Sequence, residues 1–568
     1  MDDLPDAKAP FSVSALADRA WNRVTEAAFK TSWTPIARLA EAAVVALMQR
    51  ITIGQLRVLT YSHIYTFPIP QPDNGQDPSQ PNMRPELKAE LRIVNDTFWV
   101  RLCAMGDLGF AEAYMYGDVE CDNLVTLFQI FLENRENLSN MDSRISFLFT
   151  LPQKITSYRF LNTIGNSRSN ISAHYDISND MFAGKHVAQD MTYSCAIFPE
   201  LDGDLAEGKE VQNQWSGGQS LKRLTSECEP TLPLPPSPPS SEPCDTLSDS
   251  LVLATDYDPS NASTETNDDP LFAAQIRKLQ HIIDKLHVPG PPPSGSNQSP
   301  PVRILEIGTG WGALAIRIAQ QYPHVEIDTI TLSSAQKVLA EQRISTLGLD
   351  SRITVHLMDY RNMPPEWQGR FSRFVSIEMI EAVRREFLEG YWKIVDWALE
   401  KKGAVGVVQV ISIPEARFER YIQEIDFIRK WKIYMKYRVI FPGGFLPTLT
   451  FLMTTLMSGS KGSLIVESVD NIGPHYARTL REWRRRFVDR FETAIVPALQ
   501  KEYTERREKG GISGGTATLS RDEIEVFKRK WIYYYCYCEV GFTTRTLGDH
   551  VMTFVREGNQ EYGCDVYE

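Results

Sequence analysis

The sequence predicts an α/β protein: a seven-stranded, mostly parallel sheet covered by helices and closed by a terminal antiparallel hairpin. Three observations carry that reading. Residues 302–312, V-R-I-L-E-I-G-T-G-W-G, open as an apolar strand and turn on Gly308, Gly310 and Gly312. They pass straight into helical spacing over 313–320. From 302 onward, apolar strands alternate with helical stretches, the pattern of a parallel sheet covered on both faces. Near the end, 543–545 and 551–556, joined across Gly548 and Asp549, read as the hairpin.

Taken in order, residues 1–30 contain several alanines and few strong anchors. From Trp33 to about Glu136 the pattern mixes strand, at 97–102, and helix, at 124–132, with Gly117 as a turn. Residues 1–150 are therefore expected to form a smaller N-terminal α+β accessory domain, a packed module whose residue types carry no chemistry. The remainder, 151–568, is the second domain. Residues 172–198 are dense in polar and aromatic side chains. Residues 201–269 are acidic and proline-rich, carrying P-T-L-P-L-P-P-S-P-P-S-S-E-P, and cannot bury enough apolar surface to fold. They are expected to be a disordered insertion. Helical periodicity returns over 271–286, and a second Pro/Gly/Ser spacer, 289–301, leads into the glycine motif. Strands are expected at 302–307, 325–332, 353–357, 371–377 and 404–411, with helices such as 334–347 and 387–399 between them. Residues 414–520 read as a long helical insertion rich in aromatics.

Composition bounds the function. A chain of 568 residues is long enough for two or more domains. The formal net charge of -12 argues against broad nucleic-acid binding. The 8 cysteines form no C-x-x-C pattern, so no metal site is expected, and free thiols suit a reducing compartment. The acidic start M-D-D-L-P-D is neither a signal nor a transit peptide. No stretch reaches the ~18–20 apolar residues of a membrane helix. The expectation is a cytoplasmic protein that meets any membrane substrate peripherally.

The glycine stretch is a nucleotide-type pocket, because glycines let the backbone approach a ligand and a helix start points free N–H groups at it. Its spacing is G-x-G-x-G rather than the dinucleotide G-x-G-x-x-G. The next strand ends in Thr331 and Ser333, where a dinucleotide fold offers an acid to the ribose. The acid, Glu306, lies instead inside the first strand. E-x-G-x-G resembles motif I of the S-adenosylmethionine-dependent methyltransferases. Around it, H-Y-D-I-S-N-D-M-F with D-M-T-Y-S-C-A-I-F, L-E-I-G-T-G-W-G, I-T-L-S-S-A-Q, V-S-I-E-M-I-E-A-V, F-P-G-G-F-L-P and W-I-Y-Y-Y-C-Y-C-E-V-G-F resemble, in order and spacing, the cyclopropane-fatty-acyl-phospholipid synthases. The resemblance covers about 150–560 and reaches more weakly into the first domain. The insertion has no counterpart in it.

That resemblance implies a Rossmann-like class I methyltransferase fold. It implies transfer of the methyl group of S-adenosylmethionine to a cis double bond of an unsaturated phospholipid acyl chain. A carbocation would then lose a proton from the added methyl to a bound bicarbonate, and the ring would close. It places Cys195, Gln409, Ile411 (through its backbone N–H), Glu381 and Tyr534 around that ion. Glu378 receives lower weight, and Tyr533 and Tyr535 are adjacent to the tyrosine position. For S-adenosylmethionine it implies Glu306, Gly308, Gly310, Gly312, Thr331, Leu332, Gln336 and Asp359, with Tyr193 and Ser194 closing over it. His174, Tyr175 and Asp176 would order a lid or touch ligand. Gln409 and Ala382 depart from the histidines of bacterial members. A glutamine amide can donate to an anion but cannot titrate, so a proton relay there is in doubt. Arg478, Arg481, Arg484, Arg485 and Arg486, beside Trp483 and Phe487, read equally as a face for anionic lipid or as a solvated charged face with an aromatic anchor. A homodimer is among the expected assemblies. The alternatives are a sphingolipid C9-methyltransferase, another lipid-methylating homologue, or a non-catalytic lipid-binding relative that keeps the fold.

Overall fold

The computed structural model describes residues 34–68, 87–139, 191–206, 269–291, 302–423, 444–509, 518–560 and 562. The chain divides into two units, Met1–Gly203 with Asp269–Glu568, and Asp204–Asp268. Of the second, which corresponds to the expected insertion, only 204–206 are among the described residues. Residues 1–30 and the lid candidates His174, Tyr175 and Asp176 also lie outside them.

The large sheet has seven strands: β5 (Val302–Ile307), β6 (Val325–Thr331), β7 (Ile353–Leu357), β8 (Arg373–Ile377), β9 (Val405–Ser412), β10 (Leu464–Asn471) and β11 (Gly548–Arg556). Their spatial order is β10-β11-β9-β8-β5-β6-β7. The five strands from β5 to β9 pair in parallel, while β11 runs antiparallel to both β9 and β10. Strands β5, β8 and β9 read as apolar runs because helices cover both of their faces. Chain order runs outward from β5 through β6 and β7 on one side. It resumes at β8 on the other, so the switch point lies between β5 and β8, where α/β folds hold their ligands.

Five strand expectations fall within two residues of the observed bounds. The closing pair differs. Residues 543–545 are not a strand: the Arg521–Thr543 helix runs through Thr543, started by a Ser520/Glu523 capping box. At its end the N–H groups of Thr546 and Leu547 donate to the carbonyl of Gly541. Strand β11 begins at Gly548 itself, and the antiparallel neighbour found in place of 543–545 is β10, from within the stretch expected to be a long helical insertion. The pairing is long-range, so no turn in the sequence marks it.

The small sheet, order β2-β1-β3-β4, comprises β1 (Gln55–Leu59), β2 (Ile64–Phe67), β3 (Lys88–Ile93) and β4 (Val119–Cys121). Residues 97–102, expected as strand, belong to the helix Thr97–Met105. Adjacent Phe98 and Trp99 are both fully buried. A half-buried strand would turn one of them to solvent, whereas a helix packs both. Gly117 caps the Asp107–Tyr116 helix with φ 79°. The Leu124–Glu133 helix packs on the Arg521–Thr543 helix, and the Phe128 and Tyr533 rings meet edge-on at 5.1 Å. Through this contact the small sheet shares one hydrophobic core with the large one.

Candidate active site

At the C-terminal end of β5 the chain turns through Gly308, Gly310 and Gly312, with φ of 108°, 52° and 84°, values that side chains disfavour. The N–H groups of Gly308 and Thr309 both donate to the carbonyl of Ile330, locking the turn against β6. Beneath it, the Thr329 hydroxyl donates to Glu306 Oε2 at 2.6 Å and lies 2.8 Å from the Thr309 hydroxyl. Glu306 thus holds the glycine turn from within the sheet. Burial pushes its carboxyl up to about 8, against a weaker downward pull from Thr329.

A ligand over this turn meets open space where a Cβ at Gly310 would project. It would lie beside the end of β6. There Thr331 donates to Gln336 Oε1 at 2.8 Å, Ser333 caps the Ser334–Thr346 helix, and Leu332 is half-buried. Asp359 closes the far side after β7. Burial raises its carboxyl, but hydrogen bonds from the Arg361 guanidinium and backbone N–H outweigh this and hold it below the usual range. A glycine cradle with polar groups at successive strand ends fits a nucleoside cofactor such as S-adenosylmethionine.

One strand across the switch point, three acids converge. Glu378 follows β8 directly and has φ 44°, the left-handed region, which costs a non-glycine residue about 1–3 kcal/mol. Its Oε1 accepts from the backbone N–H of Cys195 and from Gln409 Nε2, both at 2.8 Å, and its Oε2 accepts from the Tyr476 hydroxyl at 2.7 Å. Gln409 Nε2 also donates to Asp549 Oδ2 at 2.8 Å. Glu381 Oε1 accepts from the backbone N–H of Ile411 at 2.5 Å, and its backbone carbonyl accepts from Phe445 of the F-P-G-G-F-L-P segment. Glu381 Oε2 and Gln409 Oε1 are buried and have no hydrogen-bond partner among the described residues. Gln409 and Asp549 are wholly buried; Glu378 and Glu381 keep part of their surface accessible, as side chains lining a crevice do. Burial raises all three carboxyls, and the negative neighbours raise them further. Lys278, fully buried, donates to Ser194 Oγ at 2.7 Å and partly offsets this.

The expected residues therefore come together, with changed parts. Cys195 offers its backbone N–H to Glu378; its thiol meets the carbonyls of Ala196 and Ile472 and the carboxyl of Asp549, and burial, reinforced by Asp549 and Glu378, holds it well above the usual thiol range. Cys195→Ala keeps that N–H. It is expected to hold kcat/KM within about 3-fold, under ~0.7 kcal/mol of barrier, in a steady-state methyl-transfer assay. Of the three adjacent tyrosines, Tyr534 turns its hydroxyl to that of Tyr193, at 3.3 Å. Tyr533 packs against Phe128, and Tyr535 against Phe487. Successive side chains of a helix diverge by about 100°, which separates the three. Glu378 lies closer to the hydrogen-bonding centre than its low weight implied. Asp549, Tyr476 and Lys278 had no signal in the sequence.

The expected bicarbonate does not fit. Three of the donors assigned to it are already engaged: Cys195 N–H by Glu378, the Gln409 amide by Glu378 and Asp549, and Ile411 N–H by Glu381. Where those acids are ionised, an added anion would also sit among three carboxylates.

Three of the five clustered arginines point inward rather than to a surface. Arg478, Arg481 and Arg484 are each under 9% exposed. Arg478 covers the Phe198 ring, and Arg484 and Arg481 pair with buried Glu539 at 2.9 and 3.7 Å. Arg486 pairs with Asp269, and Arg485 with Glu482. Arg481 and Arg484 form a buried seam with the Arg521–Thr543 helix, and Trp483 and Phe487 lie in the core beside it, while Arg485 stays partly exposed. Among the described residues no helix is long and apolar enough to cross a membrane, and no group of three or more His, Cys, Asp or Glu residues is placed to hold a metal ion.

The buried acids give a stability prediction. Glu306 in the fold titrates near 8 against an ordinary 4.5, and Asp549 is raised as well. Their contribution is complete below the unfolded value and is lost as pH rises through the folded one. The melting temperature of the ligand-free protein is expected to fall by about 2 °C or more between pH 6 and pH 9 in differential scanning calorimetry.

Parallel sheet, reversed strand and glycine cradle define an S-adenosylmethionine-dependent methyltransferase. Residues 163–216 and 250–528 match the family described as mycolic acid cyclopropane synthetase. The chain belongs to that family, whose members are S-adenosylmethionine-dependent lipid methyltransferases. It is 28% identical over 458 residues to the tuberculostearic acid methyltransferase UfaA1 of Mycobacterium tuberculosis, covering 81% of each chain. It is 25% identical over 461 residues to the cyclopropane-fatty-acyl-phospholipid synthase of Escherichia coli K12, covering 81% of this chain and 86% of that one. Among solved structures, the mycolic acid cyclopropane synthase CmaA1 complexed with SAH and CTAB has a TM-score of 0.42 at 20% identity. It covers 70% of this chain and 99% of that one.

Proposed function

We propose that this enzyme methylates the cis double bond of an unsaturated phospholipid acyl chain and closes a cyclopropane ring. The observation that carries the reading is the gathering of partly accessible Glu378 and Glu381 in a crevice beside the glycine cradle, with Asp549 buried behind them, across the switch point between β5 and β8. Bound S-adenosylmethionine supplies an electrophilic methyl group. Gly308, Gly310, Gly312, Glu306, Thr331, Leu332, Gln336 and Asp359 would hold it, with Tyr193 and Ser194 over it. Methylating an alkene leaves a positive charge on carbon, and the crevice answers it twice. Its carboxyl groups, once ionised, supply negative charge where water is scarce. Tyr193, partly accessible and backed by Trp483 at 4.7 Å, would add cation–π attraction. The acyl chain would come from a membrane surface that the protein meets peripherally.

A second reading, a methyl branch without a ring, is favoured by the match to a tuberculostearic acid methyltransferase. The two differ in where the proton leaves. Purified protein, S-adenosylmethionine and vesicles of a monounsaturated phospholipid, analysed by lipid mass spectrometry, decide. A gain of one CH₂ per acyl chain that resists mild hydrogenation is the expected result. A CH₂ gain that still takes up hydrogen supports branching. No gain, with the cofactor bound, sinks both readings for this lipid class.

A further inference from the structure

We propose that the carboxylate of Glu378 is the base of this reaction, standing where a bound bicarbonate was expected. The inference rests on the alkene-methylating reading above. A planar three-atom O–C–O group is what both carboxylate and bicarbonate present to hydrogen-bond donors. The donors that converge on Glu378 come from three elements: the Cys195 backbone N–H from the loop before the insertion, the Gln409 amide from β9, and the Tyr476 hydroxyl from the Gly473–Asp489 helix. Such a set holds an oxyanion in one orientation. Gln409 cannot take up a proton itself. Its Nε2 is fixed between two carboxyl groups, so it positions Glu378 and does not compete with it. The left-handed backbone at Glu378 is a further mark of a residue held for function. A Cβ at Gly308 would lie 3.3 Å from the Cβ of Met379, the next residue, so Glu378 adjoins the methyl-donor cradle.

The step balances without a co-reactant. The C–S bond of the donor breaks and a C–C bond forms to one alkene carbon, leaving its neighbour cationic. A C–H bond of the added methyl gives its proton to Glu378, and that electron pair closes the ring onto the cation. The groups that face Glu378 are Asp549 on β11, Lys278 on the Pro270–Lys285 helix, Tyr476, the Cys195 thiol and, on its own loop, Glu381. Burial and the neighbouring acids raise its carboxyl, which strengthens it as a base once ionised.

The test uses the full chain with Glu378→Gln and Glu378→Gly. The glycine variant also relieves the left-handed backbone and so guards against misfolding. S-adenosylhomocysteine affinity by calorimetry, within 3-fold of wild type, confirms folding. Carbon-13 NMR of labelled bicarbonate reports ion binding without turnover. Wild type is expected to show no saturable bicarbonate binding and unchanged turnover in carbon dioxide-depleted buffer. Glu378→Gln should lose about 100-fold or more in turnover. Glu378→Gly should gain saturable bicarbonate binding and recover part of its lost turnover when the ion is added. Bicarbonate binding to wild type, or wild-type turnover that depends on the ion, overturns the proposal. If wild type methylates no unsaturated lipid, the function proposed above fails. The NMR arm then decides alone: binding to wild type overturns, and binding only to Glu378→Gly supports.

Discussion

Replacing Gly308 by valine is expected to weaken S-adenosylhomocysteine binding by 100-fold or more, about 2.7 kcal/mol, measured by isothermal titration calorimetry. Two physical effects add. The backbone at Gly308 has φ 108°, outside the allowed regions of a β-branched residue. A Cβ there would come within 3.3 Å of Met379 Cβ, so the new side chain either displaces the β8 loop or shifts the turn. Both movements disturb the cradle, because Gly308 and Thr309 are tied to Ile330 and Thr309 to the Thr329–Glu306 chain. Affinity within 3-fold of wild type would show that the ligand does not rest on this turn.

The second large effect concerns stability. Glu539→Ala is expected to cost about 3–5 kcal/mol, because it leaves Arg484 buried without its 2.9 Å carboxylate partner. Against a total stability of about 5–15 kcal/mol this is a large fraction, visible as an early urea midpoint. Arg484→Met combined with Glu539→Leu should recover more than half of the loss, since both charges then leave the interior together. An exposed lipid-binding face predicts the opposite: single variants with unchanged urea midpoints and weaker binding to anionic vesicles. The buried seam excludes that pattern for Arg478, Arg481 and Arg484.

The glycine turn was legible because its demands are local. A strand, three glycines at positive φ and a helix start occupy consecutive residues, so their signal survives in a single window. The parallel strands were legible for the same reason: apolar runs bounded by breakers leave marks in the chain. The closing strand pair was not, because β10 and β11 meet across the Gly473–Asp489 and Arg521–Thr543 helices with no turn between them.

The sequence by itself determined the fold class, the cofactor cradle and the neighbourhoods of Cys195, Glu381, Gln409 and Tyr534. Only the tertiary structure decided which atoms meet. It brought the Cys195 amide N–H to Glu378. It chose Tyr534 among three tyrosines, folded the arginine stripe inward, and brought Asp549 and Tyr476 to the acids. The physical reason is range. Cys195 and Glu378 are 183 positions apart, Gln409 and Asp549 140, and Tyr476 and Glu378 98. A hydrogen bond between such partners places no periodicity and no spacing in the chain; it exists only once the sheet has set the strand ends side by side.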